Sequence, residues 1–133
     1  MSQENVEIIG RFYDAMARRD LAGAIEFHDS EVVVINTPNS PDTAPYVGHA
    51  GLGAWVRDVR AGVGQFRVEA DETIDVDESR VIVIGRVCGE GRASGLPVEI
   101  PLTTVYTLRD GRIVRVQAYD TKAQALEAVG LSE

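Results

Sequence analysis

The sequence is poor in the residues that define several common classes of protein. A single cysteine, Cys88, excludes an internal disulfide, and with only His28 and His49 as histidines we expect no metal centre and no other cofactor. The longest apolar runs, such as residues 81–84, have the length of a strand and are far too short to cross a bilayer. The N-terminus lacks the basic and apolar regions of a signal peptide, so a cytoplasmic protein is expected.

Positive charge is also scarce. The 13 Lys and Arg residues face 21 Asp and Glu residues, which gives a formal net charge of -8 and an isoelectric point near 4.7. Such a chain repels phosphate backbones and anionic membrane surfaces, and no lysine-rich stripe offsets this charge. We therefore expect neither nucleic acid nor a membrane as a partner. The length and the hydrophobic content of 44% suit a single domain, residues 1–133, with one core.

The first half of the chain carries the periodicity of three helices. Residues 3–18 place apolar side chains at spacings of three and four, and residues 49–61 repeat that pattern. Asp20 is suited to cap a shorter helix, residues 20–27, which follows the first after a tight corner. Residues 37–48 contain three prolines and are expected to form a loop.

Five segments have the pattern of strands, four of them after residue 65. A β-branched run at residues 32–36 comes first. Further strands are predicted at residues 66–76, 80–89, 96–108 and 112–119. Asp110-Gly111 predicts a tight hairpin, and Thr121 with Gln124 predicts a capping box for a closing helix. This order predicts an α+β fold: a cone-shaped, curved antiparallel sheet with the three N-terminal-half helices over its concave face and a short C-terminal helix.

Four segments carry a family resemblance: Phe12-Tyr13-Asp14-Ala15, Arg19-Asp20-Leu21, Tyr46-Val47-Gly48 and Tyr106-Thr107-Leu108-Arg109-Asp110-Gly111-Arg112-Ile113. With Trp55 in the third helix, they make residues 3–131 similar to the nuclear-transport-factor-two-like superfamily, and within it to the SnoaL-like, polyketide-cyclase-related group. The resemblance implies a cone-shaped pocket and a homodimer. It leaves function open, because this superfamily includes isomerases, cyclases, epoxide hydrolases, dehydratases and non-enzymatic binding proteins.

The resemblance can be tested against the ketosteroid-isomerase-like site. That site requires a carboxylate base and two acidic hydrogen-bond donors, a tyrosine and a protonated aspartate. The positions that we match to them carry Thr37, Phe12 and Thr103, and none of these side chains can perform the task. The resemblance therefore does not imply this activity.

Two further reactions of the superfamily can be compared with the sequence in the same way. A limonene-epoxide-hydrolase-like site requires an Asp-Arg-Asp arrangement, and Arg86 matches the arginine while Cys88 and Gln117 occupy the carboxylate positions. A cyclase-like aldol closure requires one base near the far end of the cavity. Candidates for that base are His28, Tyr119 and Asp120. The catalytic residue stays unknown, with Arg86, Tyr119 and His28 as weak candidates.

Arg86 allows two interpretations. It alternates with Ile82, Ile84 and Cys88, so it should share a face with apolar groups and need an acidic partner. That partner is either a structural carboxylate, which is the more common case, or an anionic group of a ligand. Cys88 itself is expected to be a core residue rather than a nucleophile.

The strand at residues 96–108 is apolar on both faces. We assign one face to the cavity: Thr103, Val105 and Thr107. The opposite face would then leave an apolar patch in solvent: Ile100, Leu102, Thr104, Tyr106 and Leu108. Because such patches usually mark interfaces, we expect a homodimer joined through the outer sheet faces.

These features predict a protein that holds a small, mostly apolar organic molecule in the cone, either with isomerase, cyclase or hydrolase activity or as a non-enzymatic binding or accessory protein. An acidic side chain inside the cavity would favour an enzyme, and a filled core would favour a structural dimerisation module. The expected pocket residues are Phe12, Met16, Val34, Tyr46, Trp55, Val59, Phe66, Arg86, Cys88, Thr103, Val105, Gln117 and Tyr119.

Overall fold

The computed structural model describes residues 2–38, residue 40 and residues 44–131. The helices in these ranges are α1 (Ser2–Ala17), α2 (Leu21–Glu26), α3 (Gly48–Gly62) and α4 (Lys122–Ala128). The strands are β1 (His28–Ile35), β2 (Tyr46–Val47), β3 (Val63–Asp75), β4 (Arg80–Gly91), β5 (Pro97–Arg109) and β6 (Arg112–Tyr119). The predicted α+β class is confirmed. None of the described helices has the length and apolar character needed to span a membrane.

Local sequence signals set the ends of these elements. The Asp20 side chain accepts a hydrogen bond from the backbone N–H of Gly23 at 3.0 Å and so caps α2, as predicted. Thr121 and Gln124 form the predicted capping box of α4. At the β5–β6 hairpin, Asp110 and Gly111 both have positive φ, 53° and 77°, which suits a tight turn of this hand.

The sheet has the strand order β2-β1-β6-β5-β4-β3, and β3 to β6 form the predicted antiparallel meander. Two features differ from the prediction. Strand β1 pairs with β6 in parallel, with Val34 beside Val116, in a sheet predicted to be antiparallel throughout. The expected loop at residues 37–48 contains β2, which pairs with β1, and α3 already begins at its last residue. Positions 39 and 41–43 of that loop lie outside the described residues.

The curved sheet has two faces with different covers. Helices α1 to α3 cover the concave side, called here the inner face. Their contact with the sheet forms the main core: Ile8, Ile9, Val32, Val34, Leu52, Val81, Val83, Tyr106, Leu108 and Ile113. Full burial of each large aliphatic side chain stabilises the fold by roughly 1.5–3 kcal/mol. On the opposite, outer face, Ala125 and Leu126 of α4 pack against Ile82 and Val105.

The predicted assignment of the two faces of β5 was wrong. Leu102, Thr104 and Tyr106 line a cavity on the inner face, whereas Val105 lies under α4 on the outer face. Because directly paired residues of neighbouring strands share a face, the pairing of Thr103 with Ile84 also places Thr103 outside. The alternating pattern could not reveal this, because both faces of β5 are rich in apolar residues.

Candidate functional site

A mostly apolar cavity, called here the inner cavity, lies between the inner face and helices α1 and α3. It encloses about 70 Å³. Its lining residues are Phe12, Tyr13, Met16, His28, Val34, Ile35, Asn36, Leu52, Trp55, Val68, Leu102, Thr104, Tyr106, Val116 and Ala118. A core filled throughout, as a purely structural dimerisation module would have, is therefore not observed among the described residues.

The polar end of this cavity is a cluster of hydroxyl groups. The Oη atoms of Tyr13 on α1 and Tyr106 on β5 lie 2.8 Å apart, and Tyr106 also shares a hydrogen bond with the Thr104 side chain. Burial raises the pKa of Tyr106 to about 12 and the pKa of Tyr13 well above its ordinary value, so both stay protonated. Three hydroxyls that share two hydrogen bonds leave one hydrogen unused within the cluster. The arrangement can therefore donate a hydrogen bond to a ligand oxygen.

His28, the first residue of β1, is the titratable base in the lining. Its Nδ1 lies 3.0 Å from the carbonyl oxygen of Ala24, and because a carbonyl only accepts, Nδ1 carries the proton. The imidazole packs edge-on against the Phe12 ring, with 5.0 Å between centroids. Burial lowers the pKa of His28 to about 4, so the ring is neutral at physiological pH.

Acidic side chains lie outside the inner cavity. Within the described part of the chain, no Asp or Glu lines it. Asp58 lines a neighbouring cleft of about 400 Å³ and accepts a hydrogen bond from the Tyr46 hydroxyl at 2.7 Å. The cleft and the cavity have Trp55 and Leu102 in common. No group of three or more His, Cys, Asp or Glu side chains placed to hold a metal occurs in the described ranges.

The structure brings part of the predicted site together. Phe12, Met16, Val34 and Trp55 line the inner cavity, as does the candidate base His28. Tyr46 and Val59 line the neighbouring cleft instead. Phe66 lines a third hollow. The centroid of its ring lies 6.3 Å from that of Trp55.

Six of the predicted pocket residues lie on the outer face instead: Arg86, Cys88, Thr103, Val105, Gln117 and Tyr119. Their placement follows from the pairing register, which joins Gln117 to Val105 and Tyr119 to Thr103. Tyr119, a weak catalytic candidate, packs with Val105 in the cluster beneath α4. None of the six therefore lines the inner cavity.

The partner of Arg86 is structural. Its guanidinium lies 3.1 Å from Glu99, 3.2 Å from Glu69 and 3.4 Å from Asp71, and the hydrogen bond that it donates to Glu99 contributes most to raising its pKa. The first of the two interpretations of Arg86 is thus confirmed. Cys88 is buried on the same face, and burial raises the pKa of its thiol, which does not favour a nucleophile.

Sequence comparison with the enzymes of the superfamily missed the hydroxyl cluster by one residue at two places. The matched positions were Phe12 and Thr103, but the hydroxyls that line the inner cavity belong to their neighbours Tyr13 and Thr104. A signal was available for the tyrosine, because Tyr13 lies one helical turn after Ile9, a fully buried core residue. A buried tyrosine hydroxyl needs a hydrogen-bond partner, and Tyr106 provides it.

Comparison with known proteins gives one family and many similar folds. Residues 9–116 match the SnoaL-like domain. No curated protein sequence matches the chain. An NTF2-like protein of unknown function from Burkholderia pseudomallei is 21% identical, with a TM-score of 0.77 over 96% of this chain and 98% of that one. TerC, co-crystallised with polyporic acid, is 22% identical, with a TM-score of 0.76 over 95% of this chain and 98% of that one.

A third similar structure is a protein with a ketosteroid isomerase-like fold from Catenulispora acidiphila, in complex with trimethylamine. It is 16% identical, with a TM-score of 0.72 over 94% of this chain and 93% of that one. At these identities the three solved structures show a shared fold.

Proposed function

We propose that this chain, which belongs to the SnoaL-like domain family, binds a small, mostly apolar organic molecule in the inner cavity. The observation that carries the proposal is the pairing of an apolar lining with the hydroxyl cluster of Tyr13, Thr104 and Tyr106. Small-molecule sites usually have this composition, in which apolar walls provide affinity and a few polar groups orient the ligand.

The chemistry of the lining defines the part of the ligand that enters. A charged group would lose its hydration there without a countercharge, because His28 is neutral and the tyrosines are protonated. A carbonyl, ether or hydroxyl oxygen can accept the spare hydrogen of the hydroxyl cluster. We therefore expect an uncharged, oxygen-bearing end at Tyr13 and Tyr106.

The size of the inner cavity indicates that the ligand extends beyond it. About 70 Å³ is small against the roughly 300–1,000 Å³ of typical ligand sites. The neighbouring cleft shares Asn36, Trp55, Leu102 and Ala118 with the inner cavity, so a longer molecule can occupy both.

Binding is better supported than base catalysis. A general base works best when its pKa lies near the operating pH, and the pKa of His28, at about 4, lies well below neutrality. The described lining offers no carboxylate in its place. Isomerase, cyclase or hydrolase activity is thus the second candidate, supported by the presence of His28 in the same lining as the hydroxyl cluster.

We also propose that the protein is a homodimer joined through the outer face, with corrected contact residues. The apolar side chains of Ile84 and Tyr119 are partly exposed there, next to the area that α4 covers. A second copy placed on this face would bury them and leave the inner cavity accessible.

Cyclohexanone is a suitable probe for the inner cavity, because it is uncharged and carries one carbonyl. Trp55, the single tryptophan, lines the cavity and reports binding through its fluorescence. Tyr106→Phe should weaken binding by roughly fivefold, the value of one ordinary hydrogen bond of about 1 kcal/mol. Tyr46→Phe, which removes a hydroxyl outside the inner cavity, is the matched control and should bind as the parent does. Equal affinities for all three proteins would contradict the role of the hydroxyl cluster.

A further inference from the structure

Beside the inner cavity, the third hollow, which Phe66 lines, has a different chemistry. This hollow encloses about 290 Å³, and four arginines line it: Arg19, Arg60, Arg67 and Arg92. We propose that it binds the anionic group of an amphipathic organic acid, whose apolar part reaches towards the inner cavity. This inference rests on the proposed function and adds to it the class of ligand.

The arginines of this hollow, called here the arginine hollow, are unusual for so acidic a chain. The protein has 13 Lys and Arg residues and a net charge of -8, yet four of those cations line one hollow. None of its lining residues is acidic within the described part of the chain. Among the described residues Glu69, beside Arg67, is the only carboxylate paired with these arginines, so the other positive charges repel each other and an anion placed between them relieves that repulsion.

The charges of three of these arginines are not compensated by the protein. Arg67 is paired with Glu69 at 2.6 Å. Arg19 donates to the backbone carbonyl of Gln65 at 3.0 Å, and Arg92 donates to the backbone carbonyl of Arg60. Carbonyl groups orient these guanidiniums without neutralising them. Among the described residues, Arg19, Arg60 and Arg92 have no carboxylate within 4.0 Å.

The backbone around the hollow is held in an uncommon conformation. Arg19 and Gln65, which the hydrogen bond joins, have φ values of 59° and 50°. In the described ranges only Asp110, at the β5–β6 turn, shares such a positive φ among residues other than glycine. Strained residues of this kind cluster where a site must be held in place. Here they fix the corner between α1 and α2 against the start of β3.

The floor of the hollow points to the rest of the ligand. It is apolar and includes Leu21, Val56 and Phe66. Met16 and Val68 line both the arginine hollow and the inner cavity, so the two spaces are adjacent. A molecule with an apolar body and one carboxylate or sulfonate group would contact the arginines at one end and these apolar residues along its length. A guanidinium can donate two parallel hydrogen bonds to the oxygens of such an anion.

Octanoate and octan-1-ol provide a matched test, because they share their chain and differ in the charge of one end. The parent should bind octanoate about tenfold more tightly than octan-1-ol in low salt, and the difference should shrink as salt is added. Calorimetry measures both affinities, and the fluorescence of Trp55 reports binding in the inner cavity or the neighbouring cleft, both of which this residue lines. The double variant Arg60→Gln/Arg92→Gln should lose the preference for octanoate and bind octan-1-ol like the parent.

Arg57→Gln is the control for net charge. Arg57 lies on α3 one turn before Arg60, its side chain is 77% exposed, and it does not line the hollow. Its replacement should leave the octanoate preference intact. A thermal melt of each variant shows whether the fold is preserved. If the double variant does not fold, Arg60→Gln alone is used instead. This single variant keeps Arg92 and the backbone carbonyl at position 60 to which Arg92 donates.

The outcomes separate the two proposals. The anion site is overturned if the parent binds octanoate no better than octan-1-ol, or if Arg57→Gln lowers the preference as much as the double variant does. Binding of octan-1-ol would in that case still support a site in the inner cavity. If octanoate binds in an arginine-dependent manner and filling the inner cavity by Ala118→Leu changes nothing, the anion site stands and the proposed function fails.

Discussion

Thr103 and Thr104 are neighbours on β5 and are equally buried, at 3% and 4% exposure, yet they belong to opposite faces of the sheet. Thr104 joins the hydroxyl of Tyr106 inside the inner cavity. Thr103 lies opposite Ile84 and Tyr119 on the outer face. Burial alone therefore does not locate the site. The polar groups that each face contains, and the partners that they have, distinguish a cavity for a ligand from a surface for packing.

Polar groups on the two faces are compensated differently. On the outer face the cation Arg86 is surrounded by Glu69, Asp71 and Glu99, so its charge is neutralised within the protein. The polar groups of the inner cavity are neutral: the hydroxyls, the amide of Asn36 and the imidazole of His28, and the hydroxyl cluster has one hydrogen to spare. A neutral lining with one spare hydrogen-bond donor is suited to receive an uncharged part of a ligand.

Of the substitutions that distinguish the two faces, one on the outer face is expected to have the largest effect, the loss of the dimer. Ile84→Lys places a charge in the proposed dimer contact, and burial of an unpaired ammonium is so costly that the dimer should separate. Light scattering should then report half the parent mass. Ile100→Lys is the control, because Ile100 is 48% exposed near the far end of β5 and lies outside the proposed contact. A parent that is monomeric at micromolar concentration would contradict the dimer.

A smaller effect is expected on the inner face, as a pH dependence of stability. The pKa of His28 falls from 6.5 to about 4 on folding, so the unfolded chain binds a proton more readily between these values. Stability is complete above pH 6.5 and decreases as the pH falls towards 4, by up to about 3 kcal/mol at about 1.4 kcal/mol per pKa unit. Urea denaturation at about pH 7 and about pH 4.5 measures this loss.

Removal of the titrating ring should remove that part of the pH dependence. His28→Gln keeps a side chain that can donate to Ala24, and its stability should change less between the two pH values than that of the parent. His49→Gln should have a smaller effect, since its ring lies outside the inner cavity and its charge is the last of the causes that shift the pKa of His28. A parent and a His28→Gln variant with the same pH dependence would show that His28 is not buried as described.

Local signals made most of the fold predictable. Asp20, Asp110-Gly111 and the pair Thr121 and Gln124 act within a few residues, and the structure confirms the elements that they delimit. The parallel pairing of β1 with β6 was not predictable in this way, because it joins residues about 80 positions apart in the sequence and leaves no local mark.

The candidate site was predictable only in part, for a geometric reason. Phe12, Met16, Val34 and Trp55 line the inner cavity and belong to helices or strands with a clear apolar side, so their position could be inferred from the sequence. On β4, β5 and β6 both faces are apolar, and an error of one residue moves a whole strand to the wrong side. The carboxylates around Arg86 lie 13 to 17 positions away and meet it only through strand register.

Methyl NMR of the protein with octan-1-ol tests the central claim most directly, because side-chain methyl groups distinguish the two faces of one strand. The probe should produce intermolecular NOEs to methyl groups of the inner cavity: Val34, Leu102 and Val116. Methyl groups of Ile82, Ile84 and Val105 on the outer face should show none. NOEs confined to the outer face, or a spectrum unchanged by the probe, would contradict a binding site in the inner cavity.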